Sequence, residues 1–291
     1  MPQTDEQILI QYFHEIPKSA PAYAALVLYF IGGLIVFFQS WKTKAWFMTV
    51  VSATAWLEVI GFGFRVAMIA SPDRLVFIMM QCFLIITPVI LPLVDYIVVG
   101  RLMRFGDGSK LFMKPHWVAR FFLTSDFFCL FLQGGGGGLI SSDNPKSQQL
   151  GQKVILIGLF GQLGFFTFFT FLTVYIQRSK SFALQERVVV PSQIFTCLYV
   201  TIAMMYVRNI FRCVEFIMGY DGYLASHEEF FYAFDFAMIF GCILVFSALF
   251  FGYYMPDMQE VTPVQSAVEM TQGTEKVIVR PSPRNSGSEN V

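Results

Sequence analysis

The sequence has few charged residues for its length. Only 14% of the 291 residues are Asp, Glu, Lys or Arg, whereas 55% are hydrophobic and 34 are Phe. Soluble domains carry about 25% charged residues, and the apolar runs of about 20 residues that recur here are typical of membrane-crossing helices. The formal net charge is zero, which argues against a nucleic-acid partner bound through bulk electrostatics.

Motifs for disulfide, metal and catalytic chemistry are also missing. The five cysteines all lie in apolar runs and none forms a CxxC pair: Cys82, Cys129, Cys197, Cys213 and Cys242. We therefore predict buried thiols rather than a disulfide framework or a zinc site. No Ser/His/Asp set suited to catalysis is visible. The sequence predicts no catalytic residue, no metal and no cofactor, and it predicts that the protein is not an enzyme.

Seven apolar segments are each long enough to cross a hydrocarbon core about 30 Å thick. They cover residues 21–40, 45–69, 75–99, 117–140, 151–176, 189–217 and 230–254. Pro88 and Pro92 are expected to bend the third segment. We predict an all-α membrane protein, a seven-transmembrane helix bundle over 21–254, preceded by an extracellular or lumenal segment (1–20) and followed by a tail (255–291).

The distribution of Lys and Arg predicts the orientation. Loops after the first, third and fifth segments hold nine of these residues, against three in the loops on the opposite side. Because cytoplasmic loops are enriched in Lys and Arg, the N-terminus is predicted outside and the C-terminus in the cytosol. The tail is polar, contains Ser and Pro and has no helical period, which predicts disorder.

Polar side chains recur inside the predicted spans about two helical turns apart, which puts each set on one helix face. The sets are Glu58 and Arg65 in the second span, Asp126 and Gln133 in the fourth, and Arg208, Arg212 and Glu215 in the sixth. A charged side chain at the bilayer centre costs about 2.5–3.5 kcal/mol on insertion scales. These residues are therefore expected to face the bundle interior and to pair with one another.

In the predicted orientation most of these residues lie at one depth in the outer half of the membrane, together with Gln81 and Asp235. Arginine suits buried, bidentate pairing with carboxylates, although sequence does not tell which pairs form. Two interpretations remain open: an ion-pair lock that only fixes the bundle, or a polar cavity that binds a polar head group. Asp95, near the inner end of the third span, is interpreted instead as an interfacial residue.

Two further features have weaker interpretations. The five glycines 134–138 are not a phosphate-binding loop, because no Lys-Ser/Thr follows and no strand precedes them. We expect a flexible or broken helix end there that lets backbones approach closely, with exposed carbonyls lining a cavity as the alternative. His227, beside Glu228 and Glu229 at the outer mouth, is the only histidine that we interpret as a possible ligand.

Taken together, these residues resemble the fungal RTA-like family, also known as the lipid-translocating exporter family. The motifs that carry the resemblance are Glu58-x-x-Gly61-x-x-x-Arg65, Asp126 with Gln133 and the glycine run, and RNIFRCVEFIMGYDGYLASHEEFFYAFD at 208–235. The resemblance implies a fungal seven-helix protein at the plasma membrane or at an internal membrane, vacuolar or endoplasmic reticulum. It also implies release of, or resistance to, sphingoid bases and sterol-like toxins, or porphyrin uptake.

The leading hypothesis is a transporter or translocation factor for an amphipathic lipid or lipid-like molecule. A cationic or zwitterionic head is expected near Glu58, Asp126, Glu215 or Asp235, with the tail among Phe-rich spans. The arginines would neutralise the empty site or bind an anionic group. The alternative is a seven-helix receptor that signals through its tail. The sequence leaves the ligand, the direction of movement, the energy source and the oligomeric state open.

Overall fold

The computed structural model describes residues 17–105, 114–140, 144–178, 192–219, 222–224 and 227–254, together with Leu9 and Phe13. Within these ranges the regular structure is helical, with no strand. Six helical segments are long and apolar enough to cross a membrane. The all-α membrane class that the composition predicts is thereby confirmed.

The helices follow the predicted segments closely. They are α1 (Ser19–Thr43), α2 (Thr49–Ala70), α3 (Arg74–Ile90), α4 (Leu93–Leu102), α5 (Pro115–Ile140), α6 (Pro145–Arg178), α7 (Ser192–Met218), α8 (Glu228–Phe231), α9 (Ala237–Ala248) and α10 (Phe251–Tyr254). Short 3₁₀ helices at Trp46–Met48 and Met103–Phe105 follow α1 and α4, and a π-helix, Tyr232–Phe236, joins α8 to α9.

Helix α5 is the segment on which the number of spans depends. It is 26 residues long, yet it is not among the six segments that are apolar enough to cross a membrane. Arg120, Asp126 and five glycines lower its mean hydropathy. The count of seven spans therefore stays a prediction, as does the orientation of the termini.

The third predicted span is divided at the second of its two prolines. Pro88 lies inside α3, which ends at Ile90, and α4 begins after Pro92. Backbone hydrogen bonds continue across the junction, from Leu91 N–H to the Thr87 carbonyl (3.2 Å) and from Tyr96 N–H to the Pro92 carbonyl (3.0 Å). A proline lacks the N–H that would complete the ladder, so the interruption follows from the sequence.

The contacts between the helices form a closed ring. Neighbours in the chain pack side by side, and α9 contacts both α7 and α1, which closes the ring. Helices α5 and α6 approach closely through glycines: a Cβ on Gly136 would lie 2.7 Å from the carbonyl oxygen of Gly151, and one on Gly158 would lie 2.9 Å from that of Cys129. Small residues at helix interfaces allow such approach in membranes.

The glycine run itself is helical. Residues 134–138 lie within α5, which continues to Ile140. The expectation of a broken helix end at this place is therefore wrong, whereas the expected close approach of backbones is confirmed at Gly136. Glycine is a poor helix former in water, but inside a bundle every backbone group must find a partner within the protein, which favours the helix.

A polar cavity among six helices

A cavity of about 540 Å³ opens between residues of α2, α3, α5, α6, α7 and α8. Six of the nine residues predicted as a ligand site line it: Arg65, Gln81, Gln133, Arg208, Arg212 and Glu215. The rest of the wall is largely apolar and includes Ile78, Ile85 and Phe216. The cavity thus combines a polar cluster with an apolar compartment in one space.

The centre of the polar cluster is Asp235, which the π-helix presents toward α7. Its Oδ1 accepts hydrogen bonds from Arg208 Nε (2.9 Å) and Arg212 Nε (3.1 Å), and its Oδ2 accepts one from Arg212 Nη2 (2.7 Å). Arg212 Nη1 also donates to Glu215 Oε2 at 3.1 Å. Asp235 is only 1% exposed, so it lies behind the two arginines and balances their charge from outside the cavity wall.

Arg65 pairs with Glu228, a carboxylate outside the predicted site. Its Nη2 lies 2.6 Å from Oε1 of Glu228, at the start of α8. The guanidinium carbon also lies 5.0 Å from the ring centre of Phe13 and 4.8 Å from that of Phe231. Cation–π contacts of this kind orient an arginine independently of its ion pair.

Two further predicted residues lie apart from the cavity wall. Asp126 accepts a hydrogen bond from the Tyr96 hydroxyl (2.7 Å), buried between α4 and α5, and does not meet an arginine among the described contacts. Glu58 is 1% exposed and its Oε1 lacks a hydrogen-bond partner within the described residues. It lies within electrostatic range of Arg208 and Asp235, so it belongs to the layer behind the cluster.

The interpretation of Asp95 as an interfacial residue is wrong. The side chain is 1% exposed and accepts a hydrogen bond from the Thr201 hydroxyl of α7 at 3.1 Å. It faces inward because α4 begins at Leu93, so that Asp95 lies in the first turn of a helix that packs inside the bundle.

The amide Gln133 also has a cross-helix partner. Its Nε2 donates to Oε1 of Gln162 in α6 at 3.0 Å. The next residue, Gly134, lines the cavity, and so do Gly137 and Gly138 one turn further along α5. A Cβ on any of the three would meet no described atom within 4 Å, so on this face of α5 the glycines leave space that side chains would otherwise fill.

Sequence reasoning missed three polar partners: Glu228, Gln162 and Tyr96. A usable signal existed for Glu228, because it precedes Asp235 by seven residues, the same two-turn spacing that identified the other sets. Gln162 and Tyr96 are single polar residues in apolar runs, and their cross-helix partners follow only from the packing. His227 does line the cavity, while its Nδ1 lies 2.9 Å from the Tyr223 carbonyl oxygen.

The fold and the cavity define a helical membrane protein with a buried polar pocket, and comparison with known proteins gives its family. A family profile described as RTA1 like protein matches residues 51–258. That match covers most of the chain and every element of the cavity wall except Phe13 and Pro17. The chain belongs to the RTA1-like family. No solved structure matches it.

Relatives in Saccharomyces cerevisiae show the same relationship. The chain is 32% identical over 205 residues to a protein named Protoporphyrin uptake protein 1, and the alignment covers 67% of this chain and 66% of that one. It is 31% identical over 204 residues to Protein RTA1, covering 67% and 62%, and 28% identical over 208 residues to Protein RTM1, covering 67% and 65%. The chain thus spans a little under two thirds of these relatives' lengths.

Proposed function

We propose that this protein is a membrane transporter or translocation factor for amphipathic, lipid-like molecules. The observation that carries the proposal is a single cavity in which paired charges and apolar walls face the same space. Its volume of about 540 Å³ lies within the range of about 300–1,000 Å³ that is typical of small-molecule sites. Ionisable residues inside membrane helices commonly mark a substrate path.

The names of the relatives support this class of substrate. Protoporphyrin, for which one relative is named, joins a hydrophobic body to polar groups. Sphingoid bases and sterol-like toxins have the same amphipathic character and are alternative substrates. A polar head would lie near Arg65, Arg212 and Glu215, with the hydrophobic body against α3 and the glycines of α5 that line the cavity.

The proposal includes a topology. Helix α5 would also cross the membrane, as the fourth of seven spans. The N-terminus would lie outside and residues 255–291 in the cytosol, and the membrane would be the plasma membrane or a vacuolar or endoplasmic reticulum membrane. The sequence contains no phosphate-binding loop. Net export would then draw on an ion gradient or on a partner protein.

The test fills the cavity without disturbing the helix that bounds it. A leucine at Gly137 would project into the cavity, where a Cβ meets no described atom within 4 Å. A leucine at Gly135 serves as a matched control, because that glycine is on α5 but does not line the cavity. Both substitutions raise helix propensity, so they affect the helix itself alike.

The measurement is movement of a fluorescent long-chain lipid across vesicles that contain the purified protein. We expect Gly137→Leu to abolish this movement and Gly135→Leu to leave it unchanged. Equal activity of both variants would contradict the proposed site. A receptor is distinguished by deleting residues 256–291: a transporter keeps its flux without the tail, whereas a receptor loses its cellular output while still binding the lipid.

A further inference from the structure

We propose that the cavity selects an anionic head group, a carboxylate or a phosphate, which replaces Glu228 as the partner of Arg65. This inference rests on the proposed function and specifies its substrate class. It departs from the cationic or zwitterionic head expected near the carboxylates and develops the alternative that the arginines bind an anionic group. The reason lies in which charged atoms are already bonded and which still have capacity facing the cavity.

The carboxylates that a cationic head would need are engaged or withdrawn. Asp235 receives three arginine N–H groups, and Glu215 and Glu228 each bond an arginine. Glu58 and Asp126 lie outside the cavity wall. A cation that enters this space would therefore have to displace an arginine of the same chain from its carboxylate.

Arg65, by contrast, has donors to offer. Its side chain is only 5% exposed, it lines the cavity, and its Nε has no hydrogen-bond partner among the described residues. Only Nη2 bonds Glu228 in the described contacts. Arginine binds carboxylates and phosphates through two parallel N–H groups, so an anion that displaces Glu228 would also bond Nε, a buried donor that Glu228 leaves unmet.

The surroundings of Arg65 favour exchange over collapse of the site. The rings of Phe13 and Phe231 flank the guanidinium and would hold it in place when its partner changes. Glu228 would also keep a bond after its release, because its Oε2 accepts the backbone N–H of Lys18 at 3.1 Å. Arg65 therefore has an anionic partner both before and after the exchange.

Glu228 also borders a second hollow, of about 590 Å³, between α1 and the start of the last span. His227 and Glu228 line both spaces, so the ion pair of Arg65 and Glu228 stands between them. Release of Glu228 by an anion would therefore weaken the partition at the moment when the cavity is filled. The second hollow, lined by Ala24, Leu28 and Phe236, would then receive part of an apolar body.

The test uses two variants that break the same ion pair. Arg65→Gln removes the proposed anion receptor, whereas Glu228→Gln removes its internal competitor. Structural damage from the lost pair is shared, so only ligand chemistry moves the two affinities in opposite directions. The probes are a fluorescent long-chain carboxylate and the long-chain amine with the same fluorophore and chain, titrated into the purified full-length protein in detergent.

We expect the carboxylate to bind the unaltered protein more tightly than the amine. Arg65→Gln should weaken carboxylate binding by about tenfold or more, and Glu228→Gln should strengthen it by several-fold, because a charge-assisted pair is lost or made available. Tighter binding of the amine, or a loss of carboxylate affinity in both variants, would overturn the anion exchange while leaving a lipid site intact. Failure of both probes to bind the unaltered protein would overturn the proposed function as well.

Discussion

Arg212 and Asp235 are joined by two parallel hydrogen bonds, from Nε to Oδ1 at 3.1 Å and from Nη2 to Oδ2 at 2.7 Å. Arg208 Nε shares the same Oδ1, so one buried carboxylate balances two guanidinium groups from adjacent turns of α7. The pair links the sixth and seventh predicted spans at the level of the cavity. It makes Asp235 the residue on which the charge balance of the site depends.

Loss of that carboxylate should destabilise the protein strongly. Asp235→Asn keeps the side-chain shape but leaves two buried arginines short of charge, for which a cost of about 3–5 kcal/mol is expected. Glu215→Gln is the control, because this side chain is 20% exposed and its pair should contribute about 1 kcal/mol or less. The free energy of unfolding in detergent micelles measures both, and equal losses would contradict the central position of Asp235.

The glycines of α5 should respond to alanine in opposite ways. A Cβ on Gly136 would lie 2.6 Å from Cγ1 of Ile155 and 2.7 Å from the Gly151 carbonyl oxygen, whereas one on Gly135 would meet no described atom within 4 Å. Gly136→Ala is expected to lower the unfolding free energy by about 1–3 kcal/mol through overpacking. Gly135→Ala should leave it unchanged or raise it by up to about 1 kcal/mol. Thermal unfolding of the two purified variants checks the sign.

The hydrogen bond between Tyr96 and Asp126 should contribute to stability without affecting the ligand. Tyr96→Phe keeps the ring packing but strips Asp126 of its partner, which should cost about 1–3 kcal/mol of unfolding free energy. The control is Tyr206→Phe, which removes a bond between two neutral hydroxyls, to Thr167 Oγ1 at 2.9 Å. Reduced lipid binding by Tyr96→Phe at unchanged stability would place Asp126 in the site after all.

Chemical labelling can test whether α5 crosses the membrane. Lys114 directly precedes α5, and Lys146 is the second residue of α6. The two lysines therefore lie on either side of α5 in the sequence. In a variant without the five native cysteines, Lys114→Cys and Lys146→Cys should react with a membrane-impermeant maleimide from opposite faces of sealed vesicles. If both cysteines react from the same face, α5 does not cross the membrane, and the helices after it have the opposite orientation to the one predicted.

The sequence predicted the members of the polar cluster better than its pairs. The spacing of seven residues identifies a shared helix face, which is a property of the backbone, and it found Arg65, Arg208 and Arg212. Pairing depends on how separate helices pack, so the sequence left the pairs open and did not reveal Glu228 as the partner of Arg65. The same limit applies to Asp126, whose tyrosine partner lies 30 residues away in another helix.

The glycine run shows the second limit. Five consecutive glycines predict a weak helix from propensity alone, yet the residues are helical and serve different neighbours. Gly136 packs against α6, Gly137 faces the cavity, and Gly135 faces away from both. Which neighbour each glycine faces depends on where α6 and α3 lie. The sequence does not show this, because all of these positions hold the same residue type.

The π-helical turn at Tyr232–Phe236 constrains the length of the chain at that point. Each residue added to or removed from a helix rotates everything beyond it by about 100°. Shortening this segment by one residue would restore an ordinary α-helix. Either Asp235 would then rotate away from Arg208, or the buried face of α9 would rotate toward lipid. That face consists of Ile239, Cys242 and Phe246. An insertion or deletion here cannot be absorbed locally, because the electrostatic and apolar contacts of the last span require two angular settings at once.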